Sequence, residues 1–174
     1  MTAGKLINGV LFNITWLAVV YTHSAMWALV ITAAHLALHF SLISSRFAEA
    51  RLILGLTLFG AILDQLLFVL GVFTLQGASA AAPVWMSCLW PVVGTTLLHA
   101  FRGLQQHILL ATIFGALGGA ASYTAGTRLT DVEFGSVFWG PIIMTLLWAV
   151  LFPAMLAVAR IMNTESGREH YVAS

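Results

Sequence analysis

Asp64 is the residue best suited to chemistry in this sequence, because it lies inside an apolar run from Leu52 to Leu75 that is long enough to cross a bilayer. An ionised carboxyl in hydrocarbon costs roughly 2.5 kcal/mol or more, so such a residue normally faces a protein interior and has a role there. Gln65 follows it, and Asn13 lies at a similar depth in the first apolar run. These side chains could form a proton-linked binding site. Alternatively, a neutral Asp64 could hold two helices together through hydrogen bonds to Asn13.

Histidines supply a second set of reactive side chains. His35 and His39 are four residues apart and therefore share one helix face, and His99 closes the fourth apolar run. These three imidazoles are candidate metal ligands, and His35 with His99 could hold a haem iron axially. The sequence shows no clear carboxylate ligand at their depth, and hydrogen bonds to a carbonyl or a headgroup are the competing interpretation. No cofactor is therefore predicted.

A polar stripe runs along each of the first four apolar segments, at the spacing of one helix face. Because unpaired polar groups are costly in hydrocarbon, these stripes should face a shared interior, a cavity that opens toward the cytoplasm. The candidate ligand-binding or proton-linked residues are Asn13, Trp16, His35, Asp64, Gln65, Trp90, Thr95 and His99. No serine, threonine or cysteine lies in a recognisable nucleophile motif, so the sequence does not decide whether the protein is an enzyme.

The composition is that of a membrane protein. Hydrophobic residues make up 60% of the 174 residues, charged residues make up only 7%, and the mean hydropathy is +0.97. Soluble domains carry roughly a quarter charged residues. A formal net charge of +1 without a basic run argues against nucleic acid as a partner, since phosphates require a clustered positive surface. We therefore predict a single transmembrane domain over residues 1–174.

Six apolar segments predict an all-α polytopic bundle of six transmembrane helices. Their approximate bounds are 6–22, 25–43, 52–75, 84–101, 108–125 and 137–161. Each segment approaches the ~20 residues needed to cross the hydrocarbon core. Residues 44–51 contain Arg46, Glu49 and Arg51 and are predicted to be a polar loop. Pro91 interrupts the fourth segment, where its missing N–H should kink or break the helix.

The basic residues predict the orientation, because cytoplasmic loops retain Lys and Arg. With the N-terminus inside, the cytoplasmic side carries Lys5, Arg46, Arg51, Arg102, Arg160 and Arg168. The other side carries only Arg128. Both termini are therefore expected in the cytoplasm, with the protein in a bacterial inner membrane. A cleaved signal peptide is the alternative for the first segment, although Asn13 and Trp16 suit its apolar core poorly.

The fifth segment carries small residues four apart, among them Gly115 and Gly119. Small side chains let helix backbones approach closely, which favours helix association in lipid. Packing inside the bundle is the preferred interpretation. The alternatives are a homodimer through Gly115 and Gly119 and a substrate path lined by this backbone. Membrane lipids are expected partners in either case.

Several segments together carry a resemblance to a known family. They are Asn13 to Trp16, Asp64 to Phe68, Pro83 to Trp90, His99, and the glycine-rich stretch from Gly115 to Gly126. Through these segments, which extend over nearly its whole length, the chain resembles the DUF2878 family of small bacterial inner-membrane proteins. The resemblance implies the same topology. Through the genes that such proteins accompany, it also implies a setting of fatty-acyl or lipid modification and of light or oxidative stress.

Three functions fit these observations. The first is binding of a lipidic or amphiphilic small molecule in the polar cavity, in a lipid-modifying or accessory protein. The second is a small proton-linked transporter, but transporters commonly contain an internal repeat, and Asp64 has no counterpart in the sixth segment. The third is a membrane oxidoreductase with haem or metal. The first is preferred.

Overall fold

The computed structural model describes residues 3–44, 46–75 and 81–172, with side chains described between Gly4 and Asn163 of these ranges. The elements in chain order are α1 (Ala3–Thr22), α2 (Ala25–Leu42), α3 (Phe47–Val69), β1 (Phe73–Leu75), α4 (Val84–Ser87), α5 (Leu89–Gly94), a 3-10 helix (Arg102–Gln106), α6 (Ile108–Leu129), β2 (Val132–Phe134) and α7 (Trp139–Val172). In the described ranges, five helices are long and apolar enough to cross a membrane, namely α1, α2, α3, α6 and α7 as far as Asn163. The chain thus has the build of a multi-pass membrane protein.

The first two helices form a tight antiparallel hairpin. Only His23 and Ser24 connect them, and His23 adopts a positive φ of 30°, which turns the backbone sharply. At the opposite end of the bundle, Asn8 of α1 accepts a hydrogen bond from the backbone N–H of Ala100 at 3.3 Å. The start of α1 and the end of the fourth apolar segment therefore lie together.

The third helix is displaced from its predicted position. It spans Phe47–Val69 and not residues 52–75, so the segment predicted to be a polar loop supplies its first turns. The charged residues there follow the helix geometry: Glu49 is buried at 1% exposure, whereas Arg46 and Arg51 are exposed. The helix ends before Gly71, whose φ of 70° is a conformation that favours glycine.

The fourth apolar segment is not one continuous helix. It breaks between α4 and α5, because Pro91 has no N–H to donate to the carbonyl of Ser87. Beyond α5, the hydroxyls of Thr95 and Thr96 donate to the carbonyls of Val92 and Val93, and the chain continues in turns. Such irregular backbone at membrane depth must be surrounded by protein. That this fourth segment crosses the membrane, which would give six spans in all, stays a prediction.

A two-stranded antiparallel sheet joins α3 to the segment between α6 and α7, which the all-α prediction did not include. Phe73 of β1 pairs with Phe134 of β2, and Leu75 pairs with Val132. The rings of Phe73 and Phe134 stack with centroids 5.2 Å apart. The sheet thus satisfies backbone groups in two short connections and adds a buried aromatic ring to the core.

The glycines of α6 pack against α7. Gly115 and Gly119 are buried, and a Cβ at Gly119 would overlap the side chain of Trp148, whereas a Cβ at Gly118 would meet nothing within 4 Å. Close backbone approach therefore explains the small residues inside one chain. A homodimer through this stripe stays a prediction.

Candidate functional site

A cleft of about 620 Å³ lies between α1 and α6. Residues of α4 and α5 also line it, together with Trp148 and Phe152 of α7. We call it the α1–α6 cleft. Its lining extends from Gly9 to Val20 on α1, roughly 16 Å at the rise of a helix. The cleft therefore follows much of the length of the bundle.

The lining of the α1–α6 cleft is mainly apolar and aromatic. Besides its tryptophans, the polar side chains that line it are Asn13, Thr96, Ser122, Tyr123 and Thr127. Trp90 and Trp148 stack nearly parallel, with ring centroids 5.7 Å apart, and Tyr123 packs on Trp148. This volume and lining are typical of sites for small apolar ligands.

Asp64 does not line the cleft itself, but it is hydrogen-bonded to Trp90, which does. Its Oδ2 accepts hydrogen bonds from Trp90 Nε1 at 2.9 Å and from Ser87 Oγ at 3.1 Å. The residue is fully buried, and its other oxygen, Oδ1, has no partner among the described residues. Asp64 thus joins α3 to α4 and α5, and it reaches the cleft through the indole of Trp90.

The displacement of α3 also changes the depth of Asp64. The residue lies in the last two turns of α3, toward the end of the bundle that carries β1 and β2. Asn13 lies elsewhere on the cleft wall, where its Nδ2 donates to the Gly9 carbonyl one turn back at 2.8 Å. The hydrogen bonds of Asp64 therefore involve Trp90 and Ser87, in place of the clamp to Asn13 considered from the sequence.

Trp85 presents a further buried polar group near the same end. It lines the cleft, is 5% exposed, and its Nε1–H has no acceptor among the described residues. Buried indole N–H groups usually have a hydrogen-bond partner. An oxygen atom of a bound molecule could supply one.

His35 is held by two threonines. Its Nδ1 lies 2.8 Å from Thr15 Oγ1, and its Nε2 lies 3.0 Å from Thr95 Oγ1. Because the Thr95 hydroxyl donates its hydrogen to Val92, it accepts from His35 Nε2–H, and Thr15 then donates to Nδ1. Both ring nitrogens are engaged, so His35 ties α1, α2 and the α5 end together and has no free lone pair for a metal.

A second polar cluster lies at the end of the bundle where α2 leads into α3. Oε1 of Glu49 is 2.9 Å from His39 Nε2 and 2.8 Å from His99 Nε2. Glu49 and His39 are buried, and the side chain of His99 is 22% exposed. These three residues, which we call the His39–Glu49–His99 cluster, connect α2, α3 and the turns after α5.

The model of a family described as a protein of unknown function, DUF2878, matches residues 5–154. The chain belongs to the DUF2878 family. No curated protein and no solved structure matches it.

The DUF2878 match includes the α1–α6 cleft and the His39–Glu49–His99 cluster. The structure separates the candidate residues into groups. Asn13, Trp16 and Trp90 line the cleft, and Asp64 lies behind Trp90. His35 and Thr95 bind each other. His99 belongs to the cluster at the other end, and Gln65 accepts from the backbone N–H of Ala82 at 3.2 Å.

Sequence reasoning missed Glu49 and Trp85 as site residues in this DUF2878 protein. The interpretation of residues 44–51 as a loop placed Glu49 outside the membrane, whereas the structure places its carboxylate between two imidazoles. The sequence did contain a signal for Glu49. Glu49 is an acidic residue assigned to the same end of the bundle as His39 and His99, where a carboxylate partner was sought and not found.

Proposed function

We propose that this protein binds a lipidic or amphiphilic small molecule in the α1–α6 cleft. The single observation that carries the proposal is a cavity of about 620 Å³ with a mainly apolar and aromatic lining, placed between two helices long enough to cross a membrane. An elongated apolar chain fits such a space, because the aromatic and aliphatic side chains of the lining make close van der Waals contacts with it.

The orientation of the ligand follows from the polar groups. The unpartnered Trp85 Nε1–H and the Asp64–Trp90 pair lie toward the end of the bundle that carries the sheet. An oxygen of the ligand would accept from Trp85, while the apolar chain extends along α1 toward Gly9. The proposed ligand is therefore an amphiphile with a hydrogen-bond acceptor next to its chain.

The proposed setting is a bacterial inner membrane, with both termini in the cytoplasm. The five long helices and the broken fourth segment from Val84 to Phe101 together form six spans. The basic residues support this orientation. Arg46 donates to Asn163 of α7 at 3.0 Å, which places the start of α3 beside the end of the α7 span. Asn8 of α1 accepts from Ala100, whose neighbour His99 contacts Glu49 of α3, so the start of α1 lies on the same basic side. In this setting the protein serves a lipid-modifying system as an enzyme or an accessory.

The test uses the purified protein and a palmitic acid that carries a photoreactive diazirine. Gly118→Leu narrows the cleft, because Gly118 lines it and a Cβ there meets nothing within 4 Å. Gly55→Leu is the matched control: it is an exposed glycine in α3, also without neighbours within 4 Å, and it does not line the cleft. Both changes raise helix propensity similarly.

We expect saturable labelling of wild-type peptides from α1 and α6, severalfold weaker labelling of Gly118→Leu, and wild-type labelling of Gly55→Leu. Unlabelled palmitic acid should compete. Equal labelling of all three proteins, or labelling confined to lipid-facing residues outside the cleft, would exclude the cleft as the binding site.

A further inference from the structure

The His39–Glu49–His99 cluster lies apart from the α1–α6 cleft and has no part in the proposed lipid binding. None of its three residues lines the cleft. One possible ligand atom from each residue lies within 4.8 Å of the other two. Two imidazole nitrogens and a carboxylate oxygen on three separate chain segments thus converge on one point.

We propose that His39, Glu49 and His99 bind a divalent transition-metal ion of the zinc or ferrous class. Two imidazoles and one carboxylate are a donor set that these ions accept, and three protein ligands leave coordination positions open for water or a substrate. Glu49 Oε1 lies 2.9 Å and 2.8 Å from the two Nε2 atoms, slightly closer than the ~3.0–3.4 Å between adjacent ligand atoms around an ion with ligand bonds of roughly 2.0–2.2 Å. Small side-chain rotations therefore suffice to admit the ion.

The burial of Glu49 supports the same assignment. Its side chain is 1% exposed, it is paired with the two histidines, and the Ser44 side chain also hydrogen-bonds to it. A buried carboxylate is costly unless it is well compensated. A divalent cation compensates it more fully than two imidazoles and a hydroxyl do.

Without a metal, the Nε2–H of each histidine donates to Glu49 Oε1, so metal binding at Nε2 displaces these protons. His39 Nδ1 has no hydrogen-bond partner among the described residues, so it can carry the ring proton when Nε2 binds the ion. His99 is 22% exposed, which gives an ion a path from the surface. His35 differs in this respect, because Thr15 and Thr95 occupy both of its ring nitrogens. The proposed ligands therefore include Glu49 and exclude His35.

Cobalt(II) is the probe for this site, because it replaces zinc and reports its ligands through visible absorption. The full-length protein in detergent is stripped with a chelator and titrated with Co²⁺, with Zn²⁺ in competition. The variants are His99→Ala, at the partly exposed ligand, and Glu49→Gln, which keeps a hydrogen-bonding side chain without the charge. His107→Ala is the control, since His107 is exposed and lies just before α6.

We expect one Co²⁺ per chain, a d–d absorption band that Zn²⁺ abolishes, and a higher melting temperature with Zn²⁺ than without. His99→Ala and Glu49→Gln should bind at least ~10-fold more weakly, since even the loss of an outer-sphere partner commonly has that effect. His107→Ala should behave as wild type. Absence of a stoichiometric band in the folded wild-type protein, or unchanged Co²⁺ affinity in both ligand variants, would overturn the metal site. Loss of Co²⁺ binding in a variant counts in its favour only if that variant retains the diazirine labelling of the cleft or the wild-type circular dichroism spectrum.

Discussion

Trp90 donates its indole N–H to the Asp64 carboxylate at 2.9 Å, and the same indole lines the α1–α6 cleft. The Trp90 ring also stacks on Trp148 of α7 and covers Gly60 of α3. One side chain therefore joins a buried acid to the surface where a ligand is proposed to bind.

Replacing Asp64 separates its hydrogen bonding from its ability to titrate. Asp64→Leu leaves the Trp90 N–H and the Ser87 hydroxyl without their acceptor, and an unsatisfied buried donor costs about 1–3 kcal/mol. Asp64→Asn keeps an acceptor oxygen in the same place. We expect a clear loss of stability for leucine and a near wild-type melting temperature for asparagine, measured by thermal unfolding in detergent.

The Asp64→Asn variant also tests whether ligand binding in the cleft is linked to protonation of Asp64. If it is, diazirine labelling of the wild-type cleft should change with pH, and that dependence should vanish in Asp64→Asn, which cannot titrate. Asp131→Asn, at an exposed aspartate, is the control. Labelling by Asp64→Asn that follows wild type at every pH would assign Asp64 a purely structural role and would remove the transporter hypothesis with it.

Gly60 and Gly55 of α3 should respond oppositely to alanine. A Cβ at Gly60 would overlap the Trp90 ring, whereas a Cβ at Gly55 meets nothing within 4 Å. Alanine gains up to about 1 kcal/mol of helix propensity over glycine at either site. At Gly60 overpacking of about 1–3 kcal/mol outweighs this gain.

The expected result is a lower melting temperature for Gly60→Ala and an equal or higher one for Gly55→Ala. Tryptophan emission should also shift in Gly60→Ala, because its neighbour is an indole. Equal stability of the two variants would mean that Trp90 does not pack on Gly60.

Cysteine accessibility tests the orientation. In a Cys88→Ala background, Gly103→Cys lies in the 3-10 helix and Asp131→Cys lies between α6 and β2, and both positions are exposed. An impermeant maleimide applied to intact bacterial cells should label the cysteine at 131 and leave the cysteine at 103 unlabelled until the cells are opened. Labelling of both, or the reverse pattern, would contradict cytoplasmic termini with six spans.

Much of the helix positions could be predicted from hydropathy, and the errors have specific causes. The start of α2 at Ala25 and of α6 at Ile108 agree with the sequence prediction, because apolar runs there end at polar residues. α3 was placed five residues too late at its start, because the charges around Glu49 resemble a loop in sequence. A charge signals a loop only when it is solvated, and the hydropathy of a segment cannot show that two histidines from elsewhere compensate it.

The candidate site was less predictable than the helices. Asn13, Trp16 and Trp90 line one cleft, but the polar stripes do not converge on a single cavity. Helix spacing fixes which side chains share a face, yet not which neighbour that face meets. His35 and His39 share a face of α2, but His35 bonds to two threonines and His39 to Glu49.

The sequence alone determined the class of this protein, because 60% hydrophobic and 7% charged residues suit a lipid solvent and no aqueous one. It also determined where most helices lie and that Asp64 is buried, since both follow from local transfer energies. Only the tertiary structure decided the partners: Trp90 for Asp64, two threonines for His35, and Glu49 for His39 and His99. The physical reason is that each partner comes from a distant part of the chain and is set by helix rotation and by the break at Pro91, which depend on packing across the whole bundle.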